Sequence, residues 1–130
     1  MVITNRFVRY HLPLISYLVF IFILSSIPGA DLPEIKFELS DKIAHFLVFG
    51  LLCFLFFYSL KNQYKYVKLQ KFAPEFAVLF TLLYGITDEI HQMYTPNRSS
   101  DVLDVVADFL GALVIYLIIK LYLKKTSKAD

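Results

Sequence analysis

The sequence predicts an all-α membrane protein, a bundle of four transmembrane helices joined by short loops. Three observations predict it. The chain has 130 residues, of which 58% are apolar and only 18% charged, and its mean hydropathy is +0.60. A soluble domain carries about 45–50% apolar and about 25% charged residues, and a fold this small has too little interior to hide the excess. The apolar residues fall in four continuous runs rather than in alternation, and in lipid only helices or closed barrels satisfy their own backbone. The net charge of +2, distributed in short blocks, excludes a nucleic-acid footprint. One cysteine, Cys53, excludes a disulfide framework or a Cys-rich metal site.

The spans are expected at residues 12–27, 43–60, 72–90 and 102–123 of one domain covering residues 1–130. A helix needs about 20 mostly apolar residues to cross the hydrocarbon core, so the first three runs borrow a few polar flanking residues. Pro13 and Pro74 stand near the starts of the first and third spans, where a missing N–H costs least. Gly50, Gly85 and Gly111 fall one in each of the last three spans, where they permit close helix contact. The sequence Ser25-Ser26-Ile27-Pro28-Gly29-Ala30 offers no pair of small residues at a signal-peptidase spacing, so the first span is expected to stay uncleaved.

Charge sets the expected orientation. Arg6, Arg9, Lys61, Lys65, Lys68, Lys71, Lys120, Lys124, Lys125 and Lys128 flank one end of the spans, against Lys36, Lys42 and Arg98 at the other. The first connection also carries Asp31, Glu34, Glu38 and Asp41. The positive-inside rule then places both termini in the cytoplasm, with the first and third connections outside.

The remaining polar residues converge on that outer layer. Asp41, Lys42 and His45 open the second span, Asp88, Glu89, His91 and Gln92 close the third, and Asp101, Asp104 and Asp108 open the fourth after Arg98. Asp41/His45 are i,i+4, Asp88/His91/Gln92 are i,i+3,i+4, and Asp101/Asp104/Asp108 are i,i+3,i+7, so each set lies on one helix face. Ionisable groups at membrane depth are costly and by default mark a functional site. Several carboxylates in one dry site need protons, the cations of Lys42 and Arg98, or a visiting divalent ion. His45, His91 and Asp88 offer a two-His, one-carboxylate set for such an ion, although no motif assigns a cofactor. Asp101 is read as a helix cap. Asp41, His45, Asp88, His91, Arg98 and Asp104 are expected to form one pocket with Asp108 as its floor. No nucleophile elbow, P-loop or dinucleotide fingerprint is present, and Ser25, Ser26, Ser99 and Ser100 have no defined base beside them in sequence.

The order of short motifs resembles the VanZ-like family. It consists of Ser25-Ser26-Ile27-Pro28, Asp41-Lys42-Ile43-Ala44-His45-Phe46, Asp88-Glu89-Ile90-His91-Gln92, and Pro96-Asn97-Arg98 followed by Asp101, Asp104 and Gly111. Asn97 stands where the family tends to have Gly, and Asp108 where it tends to have Asn. The resemblance implies a small multi-pass protein of the bacterial cytoplasmic membrane, in a family named for a teicoplanin-resistance member. Two functions are carried forward. In the first, the outward pocket binds a membrane lipid, a lipid-linked wall precursor or a glycopeptide through Arg98 and Lys42. In the second, the protein is an intramembrane, metal-assisted enzyme acting on such a head group, with a His or carboxylate as general base.

Overall fold

A computed structural model describes residues 2–31 and 39–127. Six helices follow in order: α1 Val2–Tyr10, α2 Leu12–Ser26, α3 Ser40–Asn62, α4 Val67–Lys71, α5 Ala73–Met93 and α6 Val102–Thr126, with a single 3-10 turn at Gly29–Asp31. No strand occurs among the described residues, so the all-helical expectation holds. Each predicted span has a helix, and α3, α5 and α6 run past the predicted ends because their polar flanks are helical too. The short helices α1 and α4 are additions: both carry basic residues that interrupted the apolar runs from which spans were read. Glu34, Lys36, Glu38 and Lys128, used above in the charge count, lie outside the described residues.

Local chemistry accounts for the helix ends. Proline occupies the first turns of α2 and α5, where its missing N–H has no intrahelical partner to lose. Ile27 turns extended ahead of Pro28 and ends α2. Asp101 caps α6, its side chain accepting from Leu103 N at 2.8 Å, as its position predicted.

Packing centres on α3, α5 and α6, with α2 laid against α3 and α5. The interior is made largely of small residues: Cys53, Ala77 and Ala112 meet between the three central helices, while Leu14 and Ile21 of α2 pack on Phe49 and Leu52. Of the three span glycines, Gly85 and Gly111 lie at close contacts and Gly50 at ordinary van der Waals distance. A Cβ on Gly111 would stand 2.1 Å from the Phe46 carbonyl oxygen, one on Gly85 would stand 2.6 Å from Asp108 Oδ2, and one on Gly50 would stand 3.4 Å from the Gly111 oxygen. Small side chains let helix backbones approach, which is how bundles pack where no water drives association.

Large apolar side chains cover the outside of every long helix, among them Phe22, Ile23, Leu47, Leu79, Leu83 and Leu117. A soluble monomer rarely exposes apolar surface on that scale. α3 and α6 are long and apolar enough to cross a membrane, with mean hydropathies of 2.2 and 2.4 over 18 residues, and only 33% of those residues are buried within the protein. They are thus not the interior helices of a water-soluble globule. The other two expected spans do not meet that measure. α2 has 15 residues, about 22 Å of helix at 1.5 Å each, and α5 carries Glu75, Asp88 and Glu89.

Candidate functional site

The ends of α2 and α5 and the starts of α3 and α6 share one end of the bundle, here the polar end. The opposite, basic end carries Lys61 in α3, Lys68 and Lys71 in α4, and Lys120, Lys124 and Lys125 in α6. Buried polar side chains gather at the polar end: Ser25, His45, Asp88, Glu89, Gln92, Asp104 and Asp108.

They form two adjoining clusters. The first joins α3, α5 and α6. Lys42 Nζ reaches Asp101 Oδ2 and Asp104 Oδ1, both at 2.7 Å. His45 Nδ1 lies 2.9 Å from Asp108 Oδ1, and its Nε2 lies 3.9 Å from Glu89 Oε1. The other Glu89 oxygen accepts from Asp101 N at 3.0 Å, tying α5 to the cap of α6. A ring nitrogen of His45 and one oxygen each from Asp41 and Asp104 all lie within 4.8 Å of one another. Hydrogen bonding from Lys42, followed by that from Leu103 N–H, holds the exposed Asp101 carboxyl below the ordinary aspartate range.

The second cluster fastens α2. Ser25 Oγ donates to Asp88 Oδ1 at 2.5 Å, and Gln92 Nε2 donates to Asp88 Oδ2 at 2.9 Å. Thr95 Oγ1 donates to the Ser25 carbonyl at 3.0 Å. The Arg98 guanidinium spans Gln92 Oε1 at 3.2 Å and two carbonyls at the end of α2, Leu24 at 2.9 Å and Ile27 at 3.3 Å. Carbonyls at a helix C-terminus lack intrahelical partners and carry the negative end of the dipole, so a fixed cation is favourable there. The turn before Arg98 is shaped for this. Asn97 adopts φ 56°, the left-handed conformation that Asn tolerates better than most residues. Gly29 N donates to the Pro96 carbonyl at 3.0 Å, and a Cβ on Gly29 would stand 1.8 Å from the Asn97 oxygen. The first and third connections therefore touch through a glycine.

Between α2, α3 and α5 lies a cavity of about 380 Å³. Ser25, Asp41, His45, Asp88 and Arg98 line its polar end, while Ile21, Val48 and Phe49 line it one to two helical turns deeper. Four of the six residues expected to share one pocket, Asp41, His45, Asp88 and Arg98, thus line this cavity. Asp104 stands behind them in the first cluster, and Asp108 lies beneath, fully buried and bonded to His45.

Three sequence expectations change. His91 faces outward: its Nε2 bonds Ser26 Oγ at 3.0 Å, and its ring packs 4.8 Å from that of exposed Phe22. The two-His set of His45, His91 and Asp88 is therefore not assembled. The metal-capable grouping among the described residues is Asp41, His45 and Asp104. Finally, Lys42 and Arg98 are engaged internally, Lys42 by two aspartates and Arg98 by backbone and Gln92, rather than standing free for an anion. Ser25 was underrated because its acid partner lies 63 residues away; the one available signal was its place in the Ser25-Ser26-Ile27-Pro28 motif.

Residues 4–123 match the VanZ/LLP1 family, in agreement with the resemblance carried by the motifs. No curated protein and no solved structure is detectably similar to the chain. The family match spans nearly the whole chain and includes every residue of both clusters, and α3 and α6 have membrane length and composition with mostly lipid-compatible surfaces. The protein is a membrane protein that belongs to the VanZ/LLP1 family.

Proposed function

We propose that this protein holds the head group of an amphiphile in the cavity at its polar end, as a four-span protein of the bacterial cytoplasmic membrane with both termini inside. The observation that carries the reading is the division of the cavity wall. Carboxylates, an imidazole and a guanidinium stand at the outer level, and Ile21, Val48 and Phe49 stand one to two turns deeper. Such a wall suits a molecule with a polar head and an acyl or prenyl tail. Although Arg98 is engaged by Gln92, Leu24 and Ile27, two of its five N–H groups remain, and these suit a phosphate or carboxylate that comes to it. Asp41 and Asp88 on the same wall suit amine or hydroxyl donors. A phospholipid or lipid-linked wall precursor carries both features, and a glycopeptide acting on such precursors meets the same outer layer.

The test is lipid analysis of the detergent-purified protein, paired with teicoplanin susceptibility with and without the gene. A co-purifying phosphate-bearing lipid lost in Asp88→Ala or His45→Ala supports the reading. Lipid content matching a membrane-protein control, with unchanged susceptibility, sinks it. Orientation is tested with Cys53 replaced by Ala: cysteines at Asp31 and Ser99 label with an impermeant reagent from outside, and those at Lys65 and Lys125 do not.

A second reading, an intramembrane enzyme acting on such a head group, is favoured by one observation. His45 belongs to the cavity wall and its Nδ1 lies 2.9 Å from the buried Asp108 carboxylate, the arrangement of a general base held by a buried carboxylate. Turnover of the co-purified lipid that disappears in His45→Gln identifies it.

A further inference from the structure

The first cluster contains more acceptors than its own cations satisfy. Lys42 serves Asp101 Oδ2 and Asp104 Oδ1, and an Asp104 oxygen lies within 4.8 Å of a His45 ring nitrogen. Asp41 has neither an ion pair nor a side-chain hydrogen bond among the described residues. Glu89 is 4% exposed, and its Oε1 is buried without a hydrogen-bond partner, aimed at His45 Nε2 from 3.9 Å. That separation is too long for a hydrogen bond. Two metal–ligand bonds of about 2.0–2.2 Å each do reach across the gap.

The imidazole is prepared in the manner of a metal ligand. Asp108 Oδ1 lies 2.9 Å from Nδ1, and a proton held between these two atoms leaves Nε2 as the nitrogen available to an ion, 3.9 Å from Glu89 Oε1. Metal-bound histidines are usually oriented by just such a carboxylate on the other nitrogen. One oxygen each of Asp41 and Asp104 lies within 4.8 Å of a His45 ring nitrogen and of the other, a set of one nitrogen and two oxygen donors from α3 and α6, and Glu89 of α5 approaches that set at His45 alone.

We infer that His45, Asp41 and Asp104 form a binding site for one divalent first-row transition-metal ion, with Glu89 closing on the ion from beside His45 and Asp108 as the positioning residue behind His45. The imidazole suits zinc, and the carboxylates admit manganese as well. The ion would offset carboxylate charge that Lys42 leaves uncompensated, and it would stand at the cavity wall to which His45 and Asp41 belong. The inference stands apart from the head-group reading, since a structural ion needs no lipid ligand.

The full chain, purified in detergent and stripped with chelator, is titrated with zinc chloride and, separately, manganese chloride by calorimetry. One equivalent should bind, and zinc should shift the Nε2 resonance of His45 in 15N-histidine-labelled wild-type protein. Glu89→Gln, which keeps side-chain size, should weaken binding tenfold or more. Asp108→Asn should weaken it about 10–100-fold through the second ligand shell. His91→Ala should leave it unchanged. The inference is overturned by absence of saturable binding to wild type, by wild-type affinity in Glu89→Gln, or by loss of binding in His91→Ala. Should Glu89→Gln lose its helical circular dichroism, the wild-type Nε2 shift alone decides: present it supports the site, absent it overturns it.

Discussion

Gly111 rests against the backbone of Phe46, so closely that a Cβ on the glycine would stand 2.1 Å from the Phe46 oxygen and 3.1 Å from Gly50 N. Phe46 follows His45 in α3, and Gly111 lies one turn below Asp108 in α6. The contact between two backbones thus sets the separation across which the imidazole and the carboxylate pair. Gly111→Ala should push the helices apart and destabilise the protein by about 1–3 kcal/mol, the usual cost of overpacking. Gly50→Ala, whose Cβ would first meet atoms at 3.4–3.6 Å, should cost clearly less. Equal melting temperatures for the two variants in detergent would refute this account of the crossing.

At Gly85 the obstacle is a side chain. An added Cβ would stand 2.6 Å from Asp108 Oδ2, so Gly85→Ala should displace the carboxylate and lengthen its bond to His45. The readout is the 15N signature of His45, which should move toward that of Asp108→Asn. An unshifted His45 signal with the alanine in place would show that Asp108 is not positioned by the bare glycine.

Ser25 and Ser26 are neighbours with opposite surroundings. Ser25→Ala leaves Asp88 Oδ1 buried without its donor, which should cost about 1–3 kcal/mol. Ser26 is exposed and bonds only Phe22 O and His91, so Ser26→Ala should stay within about 0.5 kcal/mol of wild type. Chemical or thermal unfolding of both variants measures the contrast.

Arg98→Lys should loosen the end of α2 despite keeping the charge. One ammonium cannot reproduce the planar fork that spans Gln92, Leu24 and Ile27. Amide exchange near residues 24–27 should accelerate in this variant while exchange in the centre of α6 stays at the wild-type rate. Uniform acceleration would mean global destabilisation instead.

Asp101 supplies a pH prediction. Its carboxyl is held below the ordinary range by Lys42, so the unfolded chain binds its proton first as pH falls. The stability from this pair is therefore fully present above the unfolded aspartate value, about 3.9, and declines as pH drops through the lower folded value. Wild type should lose stability more steeply than Asp101→Asn below about pH 4, while their difference stays constant from pH 5 to 7. A difference that grows with rising pH above 5 would contradict the assignment.

The sequence by itself determined the helices and the end of the bundle at which its polar groups meet. Continuous apolar runs leave helix as the economical way to satisfy the backbone, and a period of 3.6 residues puts Asp41 with His45, and Asp101 with Asp104 and Asp108, on single faces. The cap at Asp101 and the close contacts at Gly85 and Gly111 were legible for the same reason, since each depends on neighbours within a turn or on a missing side chain. Only the tertiary structure decided the partners. His91 shares a helix face with Asp88 in sequence, yet the rotation of α5 against α2 turns its ring outward to Phe22 and delivers Asp88 to Ser25. Lys42 and Arg98 looked free because the aspartates and carbonyls that engage them lie 59 to 74 residues away. Local periodicity fixes which side chains share a face of one helix. Which face meets which is set by where backbones can approach, and here Gly111 against Phe46 and Gly85 against Asp108 set it.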